Sequence, residues 1–519
     1  MNVKVADVPL DAPVAAVLST GLETNRSMQI VSMLIVLSVS IPLILFPEQG
    51  SAVINDLFKW TTHTFDFAYL GVCLISLIFS VALAFSRYGD IKLSADKTAA
   101  PDFSKFAWTS MVFLSGIASG LMLWAGTEWG YHYAWTPFGL EAKTTEMYAV
   151  GQAYGMFHWG PSAWAVFCIP SIAISYIYYV RKKHIYKISE ACRGALGDLV
   201  DGPVGTFIDY LVIFGVLGAA ATSLGLGTPM IGGALASVLG INASVYLDAA
   251  IILVCTAVFT VSSGLGLSKG IKRLSTFATV ITLAIVVYVL VVGPTKFILA
   301  LGMDSVGYAV ENYMRMSTWT DSVNQSGFPQ AWTVFYWAWW IAYAPFVGLF
   351  TARISRGRTI REVVLGMLCW GTFGCAIVYI VLGGYGINLQ ITETLAVSEL
   401  VNTQGVAPAI IEIFKTLPLS GLVLLAVALS GIVMLATTFD SAAYVMACAS
   451  TKQLGEGQEP ERANRLFWCF AIAIVPLVFL FLGGLKTMQT ASVITALPLL
   501  VVISLMMYTT IKYIKEDHA

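Results

Sequence analysis

The densest chemistry in this chain is aromatic. From Trp332 to Tyr343 it reads Trp-Thr-Val-Phe-Tyr-Trp-Ala-Trp-Trp-Ile-Ala-Tyr, where an ordinary apolar helix is rich in Leu, Val and Ile. On a helix Tyr336 lies one turn from Trp340, and Trp339 one turn from Tyr343, so one face becomes an aromatic wall just before Ala344-Pro345. The faces of Trp and Tyr attract cations whose charge is spread over methyl groups, and an aromatic cage is the usual receptor for a quaternary ammonium. A belt at the membrane interface is the competing explanation; it accounts for one or two Trp at a span end, not for a row running inward. A second group, His158-Trp159-Gly160-Pro161 with Trp164 and Phe167, could close a cage from elsewhere, as could Tyr131 and Tyr133 beside Glu128. Glu128 and Asp440 fall within apolar stretches, where a carboxylate is either functional or a satisfied structural hydrogen-bonding group.

Those residues need elements that can hold them, and composition says what kind. Of 519 residues 57% are hydrophobic and 11% charged, against roughly a quarter charged in a soluble domain. Apolar runs recur throughout and reach the ~20 residues that cross a bilayer, so the expected fold is an all-α membrane protein of about twelve transmembrane helices. The runs lie near 28–47, 67–86, 107–134, 148–180, 205–238, 246–265, 275–301, 331–353, 362–386, 417–449, 466–482 and 489–511. Basic residues cluster in alternate loops, among them Arg87, Lys92, Arg181, Lys182, Lys269, Lys272, Arg353, Arg356, Lys452 and Arg465. The positive-inside rule then puts both termini in the cytoplasm of a multi-pass bacterial inner-membrane protein. The first ~27 residues carry no signal-peptide pattern.

The expected organisation is a cytoplasmic tail over 1–27, two leading helices over 28–106, a five-helix block over 107–301, an amphipathic surface helix over 302–330, a second block over 331–511 and a short tail over 512–519. Two blocks of five helices each, spans 3–7 and 8–12, must be inverted relative to one another, which is a transporter signature. Each opens with an interrupted helix: Ser115 to Gly120 in one, Ala344-Pro345 in the other. Eight cysteines without C-x-x-C spacing and five histidines give no zinc site, nucleophile constellation or redox cluster, so an enzyme is not expected and no organic cofactor is implied.

With these motifs the chain resembles the betaine/choline/carnitine transporter family across essentially all spans. The resemblance is carried by Trp332 to Tyr343, then Ala352-Arg353-Ile354-Ser355-Arg356-Gly357-Arg358-Thr359-Ile360-Arg361-Glu362, with Ser223 to Gly227, Phe157 to Gly160 and Gly483-Gly484-Leu485-Lys486 in support. Several of these are similar to the carnitine/γ-butyrobetaine exchanger branch. The resemblance implies a secondary transporter working by alternating access, a homotrimer in membrane lipid, and a small quaternary or tertiary ammonium substrate. It implies a cage of Trp159, Trp339, Trp340 and Tyr343 with Tyr131 from the third span, and Gly116 and Gly120 beside it. Phe167 stands where betaine carriers have Tyr, and Gly116-Ile117-Ala118-Ser119-Gly120 departs from their alternating glycines. Sodium-independent exchangers of the family are similar to one another in an Arg and a Met that replace the ion; the matching positions here are Ala278 and Val347. Sodium coupling is therefore the expectation, with Thr437, Thr438 and the backbone near Ile117 as one Na+ site and Thr222, Ser223 and Phe346 as a weaker second, sodium-independent exchange being the alternative.

Overall fold

The computed structural model describes residues 23–117, 120–265, 270–455, 458–481, 490 and 493–518, without the side chains of Ile117, Ala221, Leu226 and Phe479. Most of the expected 1–27 tail, Ala118, Ser119, Lys269 and the stretch Gly483 to Lys486 lie outside the described residues. Described residues form helices and loops, with no strand beyond two isolated bridges, Thr24 to Thr451 and Lys92 to Thr359. In a hydrocarbon solvent a helix meets every backbone donor and acceptor internally, which is why apolar composition at this level yields an all-α protein.

Ten helices among the described residues are long and apolar enough to cross a membrane. The leading pair is α1 (Arg26–Leu45) and α3 (Asp66–Phe85), separated by α2 (Pro47–Thr64). The third path is described over α4 (Lys105–Ile117) and α5 (Gly120–Ala125), and after a turn at Gly126-Thr127 it continues as α6 (Glu128–Ala134). The fourth is α7 (Glu146–His158) followed by α8 (Pro161–Ser175). Then come α9 (Pro203–Leu239), α10 (Val245–Leu265), α11 (Ile271–Val292) and the separate α12 (Thr295–Glu311). A π-helical turn, Gln330–Val334, leads into α13 (Phe335–Ile354). The remainder is α14 (Ile360–Ile391), α15 (Ser420–Ala449), α16 (Arg462–Phe481) and α17 (Ala496–Asp517).

Burial sorts these helices into centre and periphery. The α7–α8 path and the α13 path are each 94% buried inside the protein, whereas α1 is 28% buried and turns Leu34, Leu37, Ile41 and Leu45 outward, as lipid-facing helices do. The two central paths cross closely. A Cβ added at Gly348 of α13 would sit 2.4 Å from Pro170 Cβ of α8, so only glycine permits this approach. The aromatic wall of α13 thus points into the middle of the bundle.

Several boundaries differ from the sequence reading. Pro345 sits inside an unbroken α13, so the expected interruption there is absent; a proline removes one backbone donor, and burial on all sides by neighbouring helices holds the rest of the ladder. The seventh span ends at Val292 rather than 301, because Gly293-Pro294 cannot continue a helix, and the next helix begins at Thr295 instead of 302. The twelfth continues to Asp517, so most of the expected 512–519 tail is helical. Between the first two expected spans the chain forms the amphipathic α2, which Pro47 starts and which exposes Val53, Leu57 and Trp60 along one side.

The basic loops meet at one end of the bundle. Arg356 pairs with Asp102 at 2.9 Å, Arg361 donates to Ala84 O at 2.9 Å, Arg181 reaches Glu516 at 2.6 Å and Lys452 reaches Glu23 at 2.7 Å. Arg353 is buried, donating to Tyr444 Oη at 3.0 Å and to Gln458 O.

Candidate functional site

The cage is built from α13 and from the joint between α7 and α8. The fourth path breaks at Trp159-Gly160: α7 ends at His158, and Pro161 starts α8 because its missing N–H and fixed φ suit a first helical position. Trp159 therefore projects from a helix joint rather than from a helix face. Its ring stands edge-on to Trp340, with centroids 4.9 Å apart at 74°, and to Trp339 at 6.3 Å and 80°. Trp339 and Trp340 are stacked at 5.0 Å and 8°, and Tyr343 closes the corner 6.3 Å from Trp339.

Polar contacts fix this geometry. Trp340 Nε1 donates to His158 O at 2.9 Å, tying α13 to the end of α7. Tyr343 Oη donates to Ala219 O of α9 at 2.7 Å and bonds Ser223 Oγ. The indole N–H groups of Trp159 and Trp339 are buried and close no full hydrogen bond among the described residues, Trp159 facing the Tyr336 hydroxyl and Trp339 the Tyr343 hydroxyl. Gly116, Gly120, Trp159, Ser223, Trp339, Trp340 and Tyr343 together line a cavity of about 10 Å³, room for roughly one water, so a larger guest must part the rings. Gly120 is placed for ring contact, since a Cβ there would lie 3.5 Å from Trp159 Cη2.

A family model described as the betaine/carnitine/choline family transporter matches residues 27–519. The carnitine transporter of Acinetobacter baumannii is 33% identical over 502 residues, covering 96% of this chain and 91% of that protein. An uncharacterised Escherichia coli transporter, YeaV, is 34% identical over 447 residues, covering 86% of this chain and 92% of its own.

This chain belongs to the betaine/carnitine/choline transporter family.

It is a multi-pass membrane transporter, not an enzyme. Within this family member Tyr131 does not line the cavity. It packs on Trp332 at 5.3 Å and Trp124 at 6.4 Å, an outer aromatic layer joined to the cage through Tyr336, which lies 6.3 Å from Trp124 and 6.1 Å from Trp159. Trp124 was missed from sequence; it lies on α5 and Tyr131 on α6, and the turn at Gly126-Thr127 that brings them together carried no signal that pairs them.

Between the layers lies Glu128, fully buried. Its Oε1 accepts from His158 Nδ1 at 2.8 Å and faces His132 Nε2 at 3.4 Å, while Oε2 accepts from Tyr336 Oη at 2.9 Å and from Tyr379 Oη. His158 Nε2 lies 3.2 Å from Thr333 Oγ1. One carboxylate thus joins α6, α7, α13 and α14, and through His158 it sits one residue from Trp159 and one hydrogen bond from Trp340.

The expected ion ligands are less gathered. Thr438 Oγ1 donates to Leu114 O of α4 at 3.2 Å as well as to Met434 O at 3.1 Å, which brings α15 onto the third path three residues before Ile117. Thr437 Oγ1 bonds its own helix at Val433 O, 2.7 Å away. Thr222 likewise bonds Gly218 O at 3.0 Å, Ser223 belongs to the cage wall through Tyr343, and the Phe346 ring lies 6.2 Å from Tyr343. Ala278 and Val347 are buried apolar residues.

Proposed function

We propose that this protein carries a small trimethylammonium-type compound of the betaine, carnitine or choline class across the bacterial inner membrane by sodium-coupled symport. The observation that carries the substrate reading is the corner of three indoles and a phenol, Trp159, Trp339, Trp340 and Tyr343, held in register by the bonds from Trp340 to His158 O and from Tyr343 to Ala219 O. Ring faces at this spacing attract a methylated cation and offer nothing better to an anion. The N–H groups of Trp159 and Trp339, which close no full hydrogen bond, favour a zwitterion, whose carboxylate can accept from them. The Acinetobacter relative's name makes carnitine the first compound to test.

Sodium as coupling ion is supported by two hydroxyls, Thr437 and Thr438, the second of them against the backbone of α4 at Leu114, because hard cations take oxygen ligands. Cytoplasmic termini follow from the basic loops gathered at one end, and a homotrimer in the lipid bilayer completes the reading. In proteoliposomes, uptake of carnitine, γ-butyrobetaine, betaine or choline should follow an inward sodium gradient. Uptake that proceeds equally in potassium buffer and needs a counter-substrate inside would replace symport with exchange.

A further inference from the structure

Buried hydroxyls on membrane helices normally bond back to a carbonyl one turn earlier, and this chain has many that do: Ser171 bonds Phe167 O, Ser175 bonds Ser171 O and Thr510 bonds Met506 O, at 2.7, 2.6 and 2.8 Å. Several buried hydroxyls depart from it, among them Ser76, Ser110 and Thr351, and one group of them surrounds a carboxylate. On α10, the hydroxyl oxygens of Thr260, Ser262 and Ser263 are buried with no hydrogen-bond partner among the described residues, and so are both carboxylate oxygens of Asp440 on the adjoining α15. Asp440 is fully buried, and Ser262 and Ser263 are each 4% exposed. The two serines face the Asp440 carboxylate without closing a full hydrogen bond to it, while Cys469 of α16 adjoins Ser263 and Thr260. The nearest guanidinium, Arg465, is paired with Glu459 at 3.0 Å. A buried carboxylate that closes no full hydrogen bond and pairs with no cation is costly, and unsatisfied hydroxyl oxygens around it add to that cost.

We propose that Asp440, Ser262 and Ser263 form a binding site for a sodium ion between α10 and α15, separate from the Thr437–Thr438 pair. A hard monovalent cation needs several oxygens at once, one of them charged, and this is the chemistry left over here. A proton on Asp440 satisfies one carboxylate oxygen and leaves the serines as they are. Hydroxyl oxygens 437 and 438 are already engaged with carbonyls on α4 and α15, so the two sets of ligands do not overlap. The site does not depend on the Thr437–Thr438 reading. The ion would join α10 to α15, the helix that also touches α4 through Thr438.

The test is equilibrium binding of radioactive sodium to the purified full-length protein, with Asp440→Asn, Ser262→Ala/Ser263→Ala and Thr437→Ala/Thr438→Ala compared with the parent. Asp440→Asn keeps the shape and removes the charge. Its thermal midpoint without sodium serves as the folding control, and unchanged tryptophan emission as a second. The expected result is loss of one bound sodium in Asp440→Asn, at least tenfold weaker binding in the double-serine variant, and retention of that ion in the double-threonine variant. Sodium stoichiometry and affinity that match the parent in folded Asp440→Asn would overturn the site. So would an effect of Asp440→Asn confined to pH dependence, which would make the ligand a proton. Loss of all sodium in the double-threonine variant alone would overturn it as well, while leaving the symport reading standing.

Discussion

Glu128 should be the point at which the cage is most easily loosened without touching a cage ring. Its carboxylate accepts from Tyr336, Tyr379 and His158 and faces His132, all buried. Glu128→Gln keeps the size but offers one acceptor oxygen and turns the other position into a donor. Both tyrosine hydroxyls bond Oε2 and both histidines lie on Oε1, so whichever way the amide turns its NH2 displaces an acceptor from one of the two pairs, and a buried donor left unsatisfied costs about 1–3 kcal/mol. Tyr379→Phe removes one donor and leaves the carboxylate its other partners, so it should cost less, about 1 kcal/mol. Because His158 O anchors Trp340, part of the Glu128→Gln loss should appear at the cage as substrate affinity weakened by roughly tenfold, about 1.4 kcal/mol. The assay is tryptophan-fluorescence titration with carnitine or betaine on detergent-purified variants, alongside thermal midpoints. The expected ranking of loss is Glu128→Gln over Tyr379→Phe, with Glu128→Asp partly restoring affinity. Parent-like midpoint and affinity in Glu128→Gln would refute the latch.

Three further changes probe other parts. Trp340→Leu removes the ring face and should weaken substrate binding by ~2 kcal/mol, about 30-fold, while Trp340→Phe keeps a face and loses only the bond to His158 O; equal affinities of the two in a binding titration would argue against the cage. Thr437→Ala/Thr438→Ala should raise the sodium concentration for half-maximal uptake and leave sodium-saturated substrate selectivity alone, since ion and substrate tighten each other by one common factor. Gly348→Ala forces α8 and α13 apart at a 2.4 Å contact with Pro170, so it should cost about 1–3 kcal/mol and lower the yield of monodisperse protein.

The aromatic wall was legible because residue type alone marks Trp332 to Tyr343 out from a Leu-rich span, and helical spacing orders it. The outline of the bundle was legible for the same reason, since apolar runs of spanning length have no other stable use. The joint at Trp159-Gly160 was not legible: the run from Glu146 to Val180 is apolar without interruption, and only the pairing of Gly160 with Pro161 hinted at a new helix start. The Glu128 network could not be read at all, because Tyr336, Thr333 and Tyr379 meet it only through the crossing of four helices. Tyr131 and Pro345 show the reverse case. A local signal was present in each, and tertiary surroundings gave it another outcome: Tyr131 packs at a tilt against Trp332 outside the cavity, and the neighbours of α13 keep the helix whole around Pro345.

The central claim is that the rings read charge, not merely bulk. A trimethylammonium compound and its uncharged tert-butyl isostere have nearly the same shape, so choline against 3,3-dimethylbutanol separates the two. Calorimetric titration of each into the purified protein at fixed sodium should give at least tenfold tighter binding of choline, matching ~1.4 kcal/mol or more of cation–π attraction in a desolvated cage. Equal affinity for the two compounds would contradict the account.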